Sequence, residues 1–110
     1  MNSTRFSLAL GLLLLVLTGC TRQDSLERVL ARGELVVVSR NSPTTYYEGT
    51  DGPTGLEYDL ASMFARRLNV DLRVVVPDNF QDILPMVANG EAHLAAAGLT
   101  VTEQRKTLVR

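Results

Sequence analysis

The sequence has few of the residues from which metal centres and disulfide frameworks are built. It contains one cysteine, Cys20, and one histidine, His93, among 110 residues. A single cysteine excludes an internal disulfide, and one histidine with one thiol falls short of the ligand set of a zinc site. We therefore expect no metal and no cofactor. His93 lies beside an alanine-rich run, and we interpret it as a structural or edge residue rather than an acid or base.

The sequence also lacks an excess of charge and the common catalytic motifs. Eleven basic and twelve acidic side chains give a formal net charge of −1, which provides no electrostatic footprint for nucleic acid. No GxGxxG, P-loop or GxSxG pattern is present. The sequence therefore predicts no catalytic residue within this chain.

The long apolar run near the N-terminus is too short to cross a membrane. Leu8 to Leu17 spans ten residues, whereas a transmembrane helix needs about 20. A polar segment with one positive charge, Arg5, precedes the run, which is typical of a secretory signal peptide. The tetrad LTGC, which ends at Cys20, resembles the lipobox of bacterial lipoproteins. We predict a signal peptide over residues 1–19, a lipid on Cys20 and a tether over residues 20–24; the alternative is a signal peptide or buried helix that ends near a free cysteine.

The rest of the chain alternates between helical and strand patterns. Residues 40–55 are rich in Gly, Pro and polar turn formers, and they predict a loop or a hairpin-like excursion. The alternation predicts an α/β fold, a parallel sheet with flanking helices, because parallel neighbours need crossover connections. Predicted helices are Leu26 to Ala31, Glu57 to Leu68 and a segment from Phe80 that becomes regular near Pro85; predicted strands are Glu34 to Ser39, Asp71 to Val76 and Ala92 to Leu99.

The middle predicted helix is amphipathic and begins with two acidic residues. Its apolar stripe consists of Leu60, Ala61, Phe64 and Leu68. Glu57 and Asp59 lie in the first turn, where carboxylates favour the positive end of the helix dipole. At this spacing they point to different sides, so we interpret them as capping residues rather than a catalytic pair.

The strongest candidate for ligand binding follows the last predicted strand. Thr100 and Thr102 turn the chain at the carboxyl end of that strand, and ligands of open α/β sheets bind just outside such ends. Arg105 offers a planar fork of donors there for a carboxylate or phosphate; the alternative is a solvated loop arginine. At the same sheet end, Tyr46 or Tyr47 can form a wall against a small ligand, and the alternative is loop packing.

Four separated motifs resemble those of the family 3 periplasmic solute-binding proteins. Their order and spacing are kept over about 85 residues from Ser25 onward. The resemblance implies a partial first lobe of a type II periplasmic binding protein fold over residues 25–110. The motifs are L-x-x-V-L-x-R-G-E-L-V-V at 26–37, G-L-E-Y-D-L-A at 55–61, F-x-x-I-L-P-x-V-x-x-G at 80–90 and G-L-T-V-T-E-Q-R at 98–105.

The resemblance also implies roles for single residues. Arg105 would pair with a ligand carboxylate, with backbone and hydroxyl contacts from Gly98 and Thr100. Tyr46 or Tyr47 would line the cleft. Two departures leave the ligand class open, because His93 stands where the family usually has Asp and Gly98 lacks the hydroxyl that several amino-acid binders have.

Two further runs resemble the solute-binding modules of lipid-anchored lytic transglycosylases, enzymes that cleave the glycan strands of peptidoglycan. They are N-S-P-T-T-Y-Y at 41–47 and L-A-A-A-G-L-T at 94–100. The resemblance implies the N-terminal regulatory segment of such an enzyme, which senses an amino acid or muropeptide, with the second lobe and catalytic glutamate beyond residue 110. The alternative is a lipoprotein that delivers amino acids to an ABC transporter. Thr21, in place of Asp after the acylated cysteine, implies the periplasmic face of the outer membrane.

We predict that Cys20→Ala abolishes lipid attachment, because the thiol is the acylated group. Incorporation of labelled palmitate in bacterial cells measures this, and Thr21→Ala, which keeps the thiol, should label like wild type. Normal maturation and anchoring of Cys20→Ala would show the lipoprotein assignment to be wrong.

Overall fold

The computed structural model describes residues 24–109, which form a small α/β unit. The predicted signal peptide, Cys20 and the tether up to residue 23 lie outside this range. The elements in chain order are α1 (Ser25–Arg32), β1 (Glu34–Val38), β2 (Tyr47–Gly49), β3 (Gly52–Thr54), α2 (Leu56–Leu68), β4 (Asp71–Val75), a 3₁₀ turn (Phe80–Asp82), α3 (Ile83–Ala88), β5 (Leu94–Ala95) and α4 (Glu103–Lys106).

The main sheet is parallel, with β1 in its centre. Its order is β4-β1-β5, and the register with β4 runs from Glu34 opposite Asp71 to Val38 opposite Val75. On the other side, Val37 is opposite Leu94. A run of β-branched residues fits a strand that is covered on both faces, and the parallel sheet with a central valine strand confirms the prediction.

The side chains of β1 divide the core into two layers. Leu35 and Val37 pack on one face of the sheet, in a cluster with Val29, Ala61 and Ala65 from α1 and α2. Val36 and Val38 point to the opposite face, because side chains alternate along a strand, and pack with Ile83, Ala92 and Ala97. Val38 and Ile83 are completely buried. Each such side chain contributes about 1.5–3 kcal/mol by its removal from water.

Helix α2 packs on the sheet through alanines rather than through its larger apolar residues. Ala61 and Ala65 are buried, whereas Leu60 is 57% exposed and Phe64 is 44% exposed. The predicted stripe was therefore wrong for these two large side chains. The small alanines permit close approach of the helix to the sheet. Leu60 and Phe64, each one residue before a buried alanine, therefore face solvent.

The segment between β1 and α2 forms the predicted hairpin-like excursion. Strands β2 and β3 pair antiparallel, with Tyr47 opposite Thr54. Thr45 is buried at the base of the excursion, where its hydroxyl donates to the Arg40 carbonyl at 2.6 Å. Gly55 passes so close to the Thr45 carbonyl that a Cβ would collide with it, and its φ of +129° also requires glycine.

The last strand is shorter than predicted. The sequence predicts a strand over Ala92 to Leu99, but β5 contains only Leu94–Ala95. Alanine has a low strand propensity, and Gly98 adopts a left-handed φ of 62° that turns the chain out of the sheet. Ala92 and Ala97 nevertheless remain buried, so the run still serves the core.

The helix that precedes β5 begins and ends as predicted. Pro85 lies in the first turn of α3, where its missing N–H has no partner to lose. Gly90 follows α3 with a φ of +79°, the left-handed conformation that glycine favours after a helix.

His93 has a structural role, as the sequence indicates. Its Nδ1 accepts a hydrogen bond from the Val36 amide at 3.0 Å, and its own amide donates to the Val36 carbonyl at 2.9 Å. Burial lowers the pKa of His93 below its ordinary value of 6.5, and the positive charges of Arg28 and Arg32 lower it further. The neutral imidazole is the form that accepts the bond from β1.

We predict that acidification weakens the fold through His93. The pKa is lower in the folded than in the unfolded chain, so the unfolded chain gains the proton first as the pH falls through about 6.5 and below. The free energy of unfolding should therefore decrease between pH 7.5 and 5, as measured by urea denaturation. His93→Asn keeps an acceptor near the Nδ1 position but does not titrate, and it should reduce this decrease. An equal pH dependence in both proteins would contradict the role of His93.

Candidate ligand-binding site

Hydrogen bonds join the segments that leave the carboxyl ends of β1 and β5. The buried Ser39 hydroxyl, directly after β1, donates to the Ala96 carbonyl at 2.5 Å. The Ala96 amide donates to the Val38 carbonyl at 2.9 Å. These two hydrogen bonds hold the segment after β1, which contains Arg40, against the segment after β5, which contains Gly98.

Arg105 lies in a short helix whose start is capped. The Thr102 hydroxyl accepts a hydrogen bond from the Arg105 amide at 3.2 Å, as in a typical N-cap. The half-buried side chain turns back, and its Nη1 donates to the Thr100 carbonyl at 2.9 Å. One edge of the guanidinium is thus held by the protein, while the fork has further donors for an anion.

The Phe80 ring lies near two arginines, Arg105 and Arg40. The guanidinium carbon of Arg105 is 5.8 Å from the centroid of the Phe80 ring, and that of Arg40 is 5.4 Å from the same centroid. Both distances are in the range of cation–π contacts. Sequence reasoning missed Arg40 and Phe80 as site residues. The sequence position of Arg40 could have indicated its role. Arg40 lies two residues after the end of β1, at the sheet end that was predicted to bind the ligand.

Gly98 lies beside Arg40, and its amide is already paired. Its N–H donates to both carboxylate oxygens of Glu57, each at 3.0 Å. A Cβ on Gly98 would stand 3.4 Å from Arg40 Nη2 and 3.6 Å from Thr45 Cγ2. The backbone contact that Gly98 can offer to a ligand is therefore its carbonyl oxygen.

Glu57 lies in the first turn of α2, as predicted, and it also has a partner that the sequence does not predict. No side chain at the start of α2 makes a capping hydrogen bond, and the Glu57 carboxylate instead joins α2 to the Gly98 segment. The acidic side chain still lies in the first turn, where the helix dipole favours it. Glu57 and Gly98 are 41 residues apart in the sequence, so local spacing does not reveal their contact.

The two tyrosines have separate environments. The half-buried Tyr46 ring lies 5.7 Å from the Tyr58 ring at 58°, and its hydroxyl donates to the Glu48 carboxylate. This hydrogen bond, together with burial, raises the pKa of Tyr46 above 10.0. Tyr46 also lines a narrow crevice between α2 and the sheet with Ser39 and Glu57. Tyr47 is 37% exposed on β2.

The five predicted ligand residues are thus only partly brought together. Arg105 and Thr100 are joined directly, and Gly98 is linked to them through Arg40 and Phe80. Within residues 24–109, no hydrogen bond or ring contact connects either tyrosine to Arg105, Thr100 or Gly98. The binding roles of Arg105, Thr100, Gly98, Tyr46 and Tyr47 stay predictions.

The described part of the chain has neither a metal-binding cluster nor a membrane-spanning helix. Over residues 24–109, no group of three His, Cys, Asp or Glu side chains is arranged to hold a metal ion. No helix in that range has the length and apolar character needed to span a bilayer.

The parallel sheet, the helices on its two faces and the polar segments at its carboxyl edge define the class of the protein: the fold is that of type II periplasmic binding proteins. A similar solved structure is the arginine-bound form of domain 1 from TmArgBP, with a TM-score of 0.65 and 32% identity over 73% of this chain and 64% of that chain. Residues 35–110 match the model of the bacterial extracellular solute-binding proteins, family 3, and the chain belongs to this family.

Among curated proteins, the chain is similar to membrane-bound lytic murein transglycosylase F of Saccharophagus degradans, with 52% identity over 81 residues. It is also similar to membrane-bound lytic murein transglycosylase F 1 of Alkalilimnicola ehrlichii, with 55% identity over 80 residues. The matches cover 74% and 73% of this chain, but only 16% of each relative. These findings confirm both the family and the closer resemblance predicted from the motifs.

We predict that Glu57→Ala loosens the Gly98 segment, because the amide then loses its carboxylate acceptor. Hydrogen bonds to charged groups contribute about 1.5–3 kcal/mol, and partial exposure of Glu57 reduces this to about 1 kcal/mol, roughly fivefold in the exchange rate of the Gly98 amide. Amide hydrogen exchange followed by NMR measures the effect.

Asp59→Ala is the matched control for this experiment. It removes a carboxylate from the same first turn of α2, but Asp59 makes no hydrogen bond to the Gly98 segment. Equal acceleration of Gly98 exchange in both variants would mean that helix charge, rather than the Glu57 contact, controls this segment.

Proposed function

We propose that this chain is the solute-binding, regulatory segment of a longer peptidoglycan lytic transglycosylase, and that it senses a small carboxylate ligand such as an amino acid or a muropeptide. The observation that carries the proposal is the arrangement of Arg105, whose Nη1 is held by the Thr100 carbonyl at the carboxyl edge of a parallel sheet. A guanidinium that is already oriented loses less conformational entropy when it binds a carboxylate.

The surroundings of Arg105 support a ligand role over a purely structural one. Among residues 24–109, the ion pairs are Arg73 with Glu34 and Lys106 with Glu103, so no carboxylate within 4 Å neutralises Arg105. Thr100 is exposed next to it, with a hydroxyl that can donate to the same anion. An oriented, unneutralised guanidinium beside the exposed Thr100 hydroxyl has the chemistry of a carboxylate clamp.

The transglycosylase part of the proposal rests on the relatives. Two proteins of that name are more than 50% identical to this chain, which spans 16% of their length. In this proposal catalysis belongs to a part of the protein outside these 110 residues, and the chain contributes ligand recognition. Its proposed location is the periplasmic face of the outer membrane, held there by lipid on Cys20.

The alternative is a lipoprotein that delivers amino acids to an ABC transporter. It is favoured by the similarity to the arginine-bound domain 1 from TmArgBP. The reading frame after residue 110 discriminates between the two functions. A second lobe followed by a helical domain with a Glu-Ser motif supports the transglycosylase, whereas a stop after the second lobe supports transport.

We predict that Arg105→Ala in the longer protein weakens carboxylate binding by about 2 kcal/mol or more, roughly thirtyfold in Kd, because the charge-assisted contact is lost. Isothermal titration calorimetry with amino acids and muropeptides measures Kd. Lys106→Ala removes the next cation on α4, which pairs with Glu103, and should leave Kd within about twofold. Wild-type affinity in Arg105→Ala would remove the basis of the proposal.

A further inference from the structure

We propose that Arg40 makes this site selective for ligands with two negatively charged groups, so that Arg105 holds one carboxylate and Arg40 the other. The inference rests on the proposed function, because it names the ligand class of the same site. Arg40 was not among the predicted ligand residues, and its role is argued from its position beside Phe80 and Gly98.

Arg40 and Arg105 are close enough to act on one small molecule. Their guanidinium carbons are 5.4 and 5.8 Å from the centroid of the Phe80 ring, which places them at most 11.2 Å apart. A guanidinium and a carboxylate meet through hydrogen bonds of about 2.8 Å. A ligand with two carboxylates joined by a short aliphatic chain therefore reaches both arginines.

The charge of Arg40 is not balanced by a neighbour. Among residues 24–109, neither of the two ion pairs includes Arg40 or Arg105. The Glu57 carboxylate, which reaches the neighbouring Gly98 segment, accepts the Gly98 amide with both of its oxygens. Two like charges beside one aromatic ring repel each other, and a monoanion on Arg105 would leave the charge of Arg40 without a partner, whereas a dianion pairs with both.

The backbone holds Arg40 where a ligand on Arg105 would pass. Its carbonyl accepts the hydrogen bond from the buried Thr45 hydroxyl, and its Nη2 lies 3.4 Å from the Cβ position that Gly98 leaves empty. Gly98 belongs to the segment that leads to Arg105. The absence of a side chain at Gly98 leaves the space beside Arg40 Nη2 open.

The same charges argue against a cationic ligand. A lysine or arginine side chain bound at Arg105 through its carboxylate would bring a positive charge toward Arg40. Like-charge contacts of this kind disfavour the wrong partner. The ligand named for the similar TmArgBP domain is therefore not expected to bind here.

The test compares L-glutamate with L-glutamine, which has nearly the same shape but lacks the second charge, and with the cationic L-arginine. Calorimetry on the longer protein with L-glutamate, L-glutamine and L-arginine is expected to show about tenfold tighter binding of glutamate than of glutamine, and the weakest binding for arginine. Arg40→Gln should bring the glutamate-to-glutamine ratio of affinities close to one, because glutamate loses more affinity than glutamine. Arg40→Lys, which retains the charge, should restore most of the preference.

A peptidoglycan stem peptide with free carboxylates, compared with its amidated form, provides a second arm. If the free stem peptide binds more tightly than the amidated one, and this difference is lost in Arg40→Gln, the dianion comes from the cell wall. If only glutamate and glutamine differ in affinity, the ligand is a free acidic amino acid. Both results support the proposal.

Arg67→Gln is the matched control, since it removes one exposed arginine from the last turn of α2, at the opposite end of this helix from Glu57. It should change neither ratio. A wild-type protein that binds the neutral and the charged partner equally, or an Arg40→Gln protein with an unchanged ratio, would overturn the role of Arg40. If Arg105→Ala still loses binding in that case, the proposed function stands. If no carboxylate binds to the wild type, both proposals fail.

Discussion

The burial of β1 on both faces and along both edges is the constraint on which the rest of the structure depends. Its four apolar residues from Leu35 to Val38 are between 0% and 3% exposed. Their side chains alternate between the two faces of the sheet, so each face needs a helical layer to cover it. The backbone of β1 is paired along both edges, with β4 on one side and β5 on the other. The chain that leaves β1 therefore emerges between two other chain segments, at Ser39 and Arg40.

The candidate site is a consequence of that placement. Ser39 joins the segment after β1 to the segment after β5, and Glu57 joins the latter to α2. These contacts are polar and lie at the edge of the core, where a buried hydrogen-bonding group without a partner costs about 1–3 kcal/mol. Neutral His93, which is half-buried, makes a similar connection at Val36. The positions of Arg40 and Gly98 thus depend on a framework of hydrogen bonds between these segments.

Prediction from sequence succeeded where one strong local signal decided the outcome. The valine run, the left-handed glycines after α1 and α3, and the proline in the first turn of α3 each have one favourable local conformation. It failed where packing decided. Leu60 and Phe64 have the spacing of a core stripe, but the sheet accepts the alanines beside them. The run from Ala92 to Leu99 is apolar enough for a strand, yet alanine has a low strand propensity, and the pairing ends at Ala95, before the left-handed Gly98.

The sequence by itself determined the α/β class, the family and the candidate Arg105, since periodicity, capping residues and motif spacing are properties of neighbours along the chain. Only the tertiary structure decided what surrounds that arginine. Arg40, Glu57 and Phe80 are far from Arg105 in sequence, and no local rule relates them to it. The parallel sheet brings the carboxyl ends of β1 and β5 to one edge, where Glu57 contacts Gly98 and both arginines lie within 6 Å of the Phe80 ring centroid.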